Sequence, residues 1–182
     1  AFGHEQQQSA PSPFFVVMNP DITWSQDPWA AMLQAAQQPG VGCVYPQQVD
    51  AHGQPQDHAR RLPTPGALLR RYLGGAARRR ARVAAPDWAN AALLLFHSVA
   101  YQRIQGFDEA YHMYCEDVDI CLRLQLAGYR LAEAQDACVV HAGQRASHRQ
   151  WRHLGWHLRS LWRLWHSPAY QQFQQNHARR VG

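Results

Sequence analysis

The stretch GFDEAYHMYCEDVDICLRLQLAGY, Gly106 to Tyr129, places five of the chain's 13 acidic residues between Asp108 and Asp119, although the formal net charge is +5. Carboxylates crowded this closely make one another harder to ionise. A helix N-terminus relieves part of that cost. EDVDICLRLQLAG predicts a helix stopped by Gly128, with Asp117 as its N-cap and Glu116 and Asp119 favoured by its positive end. Capping accounts for about two acids in such a turn, and five exceed it. A carboxylate held among others near a helix N-terminus and facing a cleft also fits a general base.

The rest of the chain is that of a folded globule. A length of 182 residues, 46% hydrophobic content and seven Trp suit one medium domain with a real core. No apolar run approaches the ~20 residues of a membrane span, and the longest, AALLLF (Ala91 to Phe96), reads as a buried strand. The polar start AFGHEQQQ does not read as a signal peptide. Cys43, Cys115, Cys121 and Cys138 form no CxxC pair and are expected as free thiols in a reducing, cytoplasmic setting. Basic residues gather from Arg60 to Arg82 and from Arg145 to Arg180. They form either a solvated face or a surface for an anionic partner such as a nucleotide diphosphate or phospholipid. Aromatics interleaved with glycines, as RNA-binding strands carry them, are missing, so no nucleic-acid partner is expected.

Along the chain, PFFVVMNPDITW predicts a strand over Phe14 to Met18, ended by Asn19-Pro20-Asp21. DPWAAMLQAAQQPG predicts a helix with Asp27 as N-cap, Pro28 at its first position and Pro39-Gly40 as its stop. VGCVYP is a short strand, and the polar segment after it a long loop or hairpin. LLRRYLGGAARRRARVAAPD is expected to be partly helical and broken at Gly74-Gly75. WANAALLLFH predicts a strand, followed by a short helix near Ser98 and a turn at Gly106. YRLAEAQDACVVHAG gives two short strand-like pieces. In the tail, Trp151, Leu154, Leu158, Leu161, Trp162 and Trp165 recur at helical spacing, with Arg152, Arg159 and Arg163 elsewhere on the wheel. Strands alternating with helices predict an α/β architecture with a largely parallel sheet.

In such folds ligands gather at strand ends. Asp21 sits on the loop after a strand, where a carboxylate suits Mg²⁺ or Mn²⁺; it equally suits an Asx turn. His141 closes the run ACVVH; a lone histidine is more often structural than a ligand, but this one sits at a strand end as Asp21 does, so the two could meet over one ligand.

NPD after an apolar strand, a tryptophan-led strand, then GFDEAYHMYCEDVDICLRLQLAGYRL and VVHAG together resemble family 2 glycosyltransferases, and among them the bacterial rhamnosyltransferase-like enzymes. The likeness runs from about residue 2 to about residue 150. It implies a GT-A-like mixed sheet flanked by helices, a nucleotide-diphosphate-sugar donor, a divalent metal, and inverting transfer to a glycan or lipid-linked acceptor. Asp21 would stand at the metal-binding acid of a DxD-type motif, with Asn19 in place of its first acid. Asp117 would be the general base. His141 would help hold the metal or diphosphate. Glu116 and Asp119 would tune Asp117 or bind acceptor hydroxyls, Asp108 and Glu109 would shape the acceptor pocket, and Trp88 and Asn90 would open the strand of the acceptor-side wall. Ala91 stands where the family often has glycine.

The family places nucleotide-holding strand–helix units ahead of a segment like GFG-N, and AFGHEQQQ resembles the end of that half, so residues 1–149 are expected to form an N-terminally truncated GT-A-like domain. An open sheet edge, dimerisation through it and weak nucleotide binding follow as expectations. Residues 150–182 are expected as a basic amphipathic helix and tail that packs across the domain or rests on the inner membrane leaflet. A non-catalytic glycosyltransferase-derived binding module is the alternative function. A metal-dependent hydrolase lacks the several His and Asp ligands such sites carry.

Overall fold

The computed structural model describes residues 12–73, 85–142 and 151–181. Its main sheet has the order β1-β6-β3-β7-β2. These strands are β1 (Phe14–Met18), β2 (Ile22–Thr23), β3 (Val41–Val49), β6 (Leu93–His97) and β7 (Arg130–His141). Two further strands, β4 (Ala59–Arg60) and β5 (Trp88–Ala89), pair in a separate small sheet. The helices are α1 (Trp29–Ala36), α2 (Pro65–Leu73), α3 (Ser98–Arg103), α4 (Glu116–Leu126), α5 (Trp151–His166) and α6 (Pro168–Val181).

The sheet is mixed, which corrects the largely parallel reading. β6 runs antiparallel to both β1 and β3, β2 runs antiparallel to β7, and only β3 and β7 are parallel. Alternation alone cannot show that the chain turns back through β6 between two strands it has already laid down. β6 is central because Leu93, Leu94, Leu95 and Phe96 are all buried, so neither face can meet water. β1 is an outer strand; among the described residues nothing pairs with its free edge, and Val16 and Met18 are exposed there.

Several boundaries differ from the sequence reading. The two pieces predicted within 129–143 are one twelve-residue strand, β7, whose pairing with β3 is interrupted. Pro46 pairs with Ala134, but Gln47 pairs with Cys138, leaving 135–137 outside the ladder. Proline has no N–H to donate, and an irregularity beside it is the expected outcome. The Gln47 side chain donates to the freed Gln135 carbonyl at 2.7 Å. WANAALLLFH is two strands and not one, because Trp88 and Ala89 pair with β4 and the chain then crosses to β6. The segment after VGCVYP holds the end of β3, a turn, β4 and the start of α2. Residues 74–84, which include the Gly74-Gly75 break, lie outside the described residues.

Pro28 occupies the N-cap position of α1, so Asp27 lies one residue outside it and not at the cap the sequence suggests, although its Oδ1 accepts from Trp29 N–H at 2.9 Å. α4 ends in a Schellman arrangement: Gly128 (φ 90°) donates to Gln125 O, and Tyr129 N–H to Leu124 O. A Cβ on Gly42 would lie 2.7 Å from that of Tyr129, so only glycine lets β3 pass there.

Two cores flank the sheet. α1 covers one, built on Met32, Val44, Leu93, Leu95 and Val139. The other joins Leu94 and Phe96 to Ile120, Leu122 and Leu124 of α4, and takes in Leu161, Leu164 and Tyr170 from α5 and α6. The tail thus shares the domain's core. Its apolar stripe divides: Leu161 and Leu164 are buried, whereas Leu154, Leu158 and Trp162 are exposed, against the single packed face the spacing suggests.

Candidate active site

The first turn of α4 carries Glu116 and Asp117. The residue preceding it, Cys115, occupies the N-cap position with no capping side chain, so Asp117 lies inside the helix and is not the cap the sequence suggests. Tyr114 (φ 70°) and Cys115 (φ 66°) are both left-handed. For residues with a Cβ, that conformation costs about 1–3 kcal/mol each. The strained pair turns the chain sharply before the helix.

Asp117 is half-buried, keeping a solvent-facing edge among largely protein surroundings, and its Oδ1 accepts from Val118 N–H at 2.8 Å. Burial, and then the charge of Glu116, push its carboxyl up to about 7, against the opposing pull of the Val118 N–H and the Arg60 guanidinium. A carboxyl titrating near neutral pH beside a helix N-terminus can both accept and hold a proton. Arg60, which also lies over the Trp88 ring at 5.1 Å, was not singled out from sequence; nothing in a basic run marks one arginine of many.

The other acids of the stretch divide by partner. Asp119 is buried and accepts from Arg123 Nε at 2.7 Å, while Arg123 Nη1 donates to the Ile104 carbonyl at 2.6 Å. Burial raises the Asp119 carboxyl and Arg123 lowers it. Asp108 accepts from Arg163 Nη2 of α5 at 2.9 Å and from Ala110 N–H at 2.9 Å, and the Arg163 bond lowers its carboxyl. Asp108, Glu109 and Asp119 line one cleft of about 1320 Å³, closed on its far side by Trp156, Trp162 and Arg163 of α5. Asp117, Asp21 and His141 do not line it.

Trp88 and Asn90 stand apart from that cleft. The Trp88 indole donates to the Arg61 carbonyl at 3.0 Å. Asn90 and Gln48 exchange two side-chain hydrogen bonds at 2.7 and 3.0 Å.

Asn19-Pro20-Asp21 forms a β-turn, with Ile22 N–H donating to Asn19 O at 3.3 Å and proline at the second position. Ile22 pairs with His141 across β2 and β7, which brings His141 Nε2 to 3.6 Å from Asp21 Oδ2. Gln56 fixes the His141 backbone, donating to its carbonyl at 2.8 Å. Among the described residues no group of three or more His, Cys, Asp or Glu gathers around a common point. All four cysteines are free thiols.

No family model matches the chain. It is 37% identical over 78 residues to the rhamnosyltransferase WbbL of Escherichia coli, spanning 42% of this chain and 30% of the relative. It is 31% identical over 140 residues to the N-acetylglucosaminyl-diphospho-decaprenol L-rhamnosyltransferase of Mycobacterium tuberculosis, spanning 69% of this chain and 46% of the relative. The chain therefore spans less than half the length of either. In fold it is similar to the mannosyltransferase PcManGT of Pyrobaculum calidifontis in complex with GDP-Man and Mn²⁺, with a TM-score of 0.52 and 19% identity over 90% of this chain and 43% of that one. GalNAc-T7 with UDP, GalNAc and Mn²⁺ gives a TM-score of 0.53 and 13% identity over 74% and 28%. The chain is rhamnosyltransferase-like in sequence and GT-A in fold.

Proposed function

We propose that the protein is an inverting glycosyltransferase that moves a sugar from a nucleotide-diphosphate donor to an acceptor hydroxyl in polysaccharide or glycolipid synthesis. The observation that carries this reading is Asp117: a carboxyl at the positive end of α4, pushed up to about 7, one face of the same helix away from a cleft of acids and tryptophans. Asp117 takes the proton from the acceptor hydroxyl as that oxygen attacks the anomeric carbon opposite the leaving diphosphate. Direct displacement of this kind inverts the configuration and needs a base on the acceptor side. In the cleft, Trp156 and Trp162 offer flat faces for sugar rings, Asp108 and Glu109 accept from hydroxyls, and the buried Asp119 holds Arg123 in the cleft wall. A diphosphate-linked lipid of the kind named for the mycobacterial relative is the acceptor class this reading favours.

Asp21 and His141 fit a divalent cation, since a carboxylate and an imidazole 3.6 Å apart on a fixed turn supply two of the ligands that Mg²⁺ or Mn²⁺ takes before substrate phosphates complete the set. When bound, such a cation neutralises charge growing on the leaving diphosphate. Asp21 would share its charge with the ion, and His141, neutral, would hold it through Nε2.

α5 gives the reading a membrane side. Leu154, Leu158 and Trp162 are exposed at four-residue spacing, and Arg159 beside them has no ion pair among the described residues. No helix among the described residues is long and apolar enough to cross a membrane. An apolar stripe edged by arginine suits peripheral contact with an anionic lipid surface.

Asp117→Asn tests the function. Transfer from nucleotide-diphosphate sugars is lost while donor binding is kept; undiminished transfer refutes the base, and absence of transfer in the wild type favours a binding module.

A further inference from the structure

We propose that α5 is a clamp on the acid-bearing turn, with Ser160, His153 and His157 as positioning residues for Asp117. The inference rests on the reading of Asp117 as the base.

Three consecutive residues ahead of α4 are each gripped by this one helix. The His112 ring meets Trp156 edge-on, with centroids 5.2 Å apart. The Met113 carbonyl accepts from Ser160 Oγ at 2.6 Å, and Ser160 is buried. Tyr114 Oη lies 3.0 Å from His153 Nδ1, and the Tyr114 ring stacks on His157 at 5.0 Å with 28° between planes. Positions 153, 156, 157 and 160 share one face of a helix by their spacing.

The grip falls where the backbone needs it. Tyr114 and Cys115 are left-handed without being glycine, and no side chain caps α4. Conformations of this kind persist only where the surroundings over-determine them. α5 can supply that constraint because it is anchored elsewhere. Leu161 and Leu164 lie in the core, Trp165 Nε1 donates to the Pro63 carbonyl at 2.8 Å, and Arg163 holds Asp108. A rigid helix thus sets the direction in which the first turn of α4 leaves the loop, and with it where Asp117 points. The clamp residues touch neither a reacting atom nor Asp117 itself.

Cys115 reports on the turn. It is buried, and burial pushes its thiol up to about 12, so it reacts slowly while the turn is held. Cys138 is exposed and serves as the fast internal standard; Cys43 and Cys121 are buried and report global unfolding. Maleimide labelling of Ser160→Ala and Tyr114→Phe, read by peptide mass spectrometry, is expected to show Cys115 modified about tenfold faster than in the wild type, as loss of roughly one hydrogen bond predicts. Cys43 and Cys121 stay protected. Tyr114→Phe removes a single oxygen and keeps the ring, so it remains informative if Ser160→Ala unfolds. Assayed with a panel of nucleotide-diphosphate sugars, the same variants lower kcat by a similar factor and leave KM for the donor unchanged.

Unchanged Cys115 labelling in both variants overturns the clamp. Faster labelling with wild-type kcat, in a protein that Asp117→Asn inactivates, overturns its role in positioning and leaves the base standing. If Asp117→Asn transfers normally, the base assignment fails and with it the positioning role, while labelling of Cys115 still shows whether α5 holds the turn.

Discussion

His141 Nε2 stands 3.6 Å from Asp21 Oδ2, joined by the Ile22–His141 pairing of β2 and β7. Two residues far apart in sequence are thereby fixed at one sheet end, where a carboxylate on a tight turn meets an imidazole held through its own backbone.

If this pair holds a divalent cation, chelation with EDTA abolishes transfer and added Mn²⁺ restores it. Asp21→Asn and His141→Ala each raise the Mn²⁺ concentration needed for half-maximal activity by about 10–100-fold, the range for losing one supporting group around a bound ion. A Mn²⁺ titration unaffected by both variants rules the pair out as ligands.

The carboxyl of Asp117, raised to about 7 by burial and by Glu116, sets the pH dependence of transfer. A base must be ionised, so kcat/KM rises with pH to a plateau above about 7. Glu116→Gln removes the second cause of the shift and moves the rising limb to lower pH. Profiles of the two proteins that superimpose would show that Glu116 does not tune the base.

Stability runs the other way. Asp117 binds its proton more tightly in the folded chain than at its ordinary value of 3.8. The native state therefore holds more protons than the unfolded one between pH ~4 and 7, and stability falls as pH rises through that window. Above it, the ionised, half-buried carboxylate is a standing cost. Discounted for its solvent-facing edge, that cost is about 1–2 kcal/mol. Asp117→Asn should therefore melt several degrees higher than the wild type at pH 8 and at a similar temperature at pH 4. Thermal melts at the two pH values check the sign.

Arg123 compensates a buried charge. Asp119 has only 4% of its side chain exposed, and Arg123 is its ion-pair partner. Arg123→Ala leaves that carboxylate unpaired and is expected to cost about 3–5 kcal/mol in urea denaturation. Asp119→Asn in the same chain recovers part of the loss. A double variant no more stable than the single one would show that the Ile104 carbonyl contact, and not the charge, dominates.

For the exposed stripe of α5, Leu158→Ser with Trp162→Ser leaves the melting temperature within about a degree, since neither side chain is in the core. Binding to vesicles of phosphatidylglycerol falls by about tenfold or more, and added salt weakens the wild type in the same assay. Equal binding by variant and wild type removes the membrane contact.

Local patterns were legible where one short range of chain decides the outcome. Phe14 to Met18, the helix after Asp27, the helix stop at Gly128 and the turn at Gly106 follow from apolar runs and turn residues in place. Pairing was not. The antiparallel course of β6 and the diversion of Trp88 and Ala89 to β4 depend on partners far away in sequence. The acidic cluster stood out from its spacing, but only the family resemblance singled out Asp117 within it. Arg60, Ser160 and His153 did not stand out, since a lone arginine, serine or histidine acquires meaning only from what the fold sets against it. The division of the α5 stripe was not legible for a related reason: its apolar residues cover more of the helix than one face can bury, and spacing cannot tell the wet part from the dry.

The interruption at Pro46 has a consequence of parity. Before it, Ala132 and Ala134 of β7 face the core beneath α1; after it, Ala137 and Val139 do. Even positions give way to odd ones because three residues, an odd number, leave the ladder. His141 shares the odd count of Val139. Had the strand run on without the detour, Cys138, three residues earlier, would stand opposite Ile22 in its place. A proline that cannot donate one hydrogen bond thereby decides, seven residues past its partner Ala134, that an imidazole and not a thiol meets Asp21.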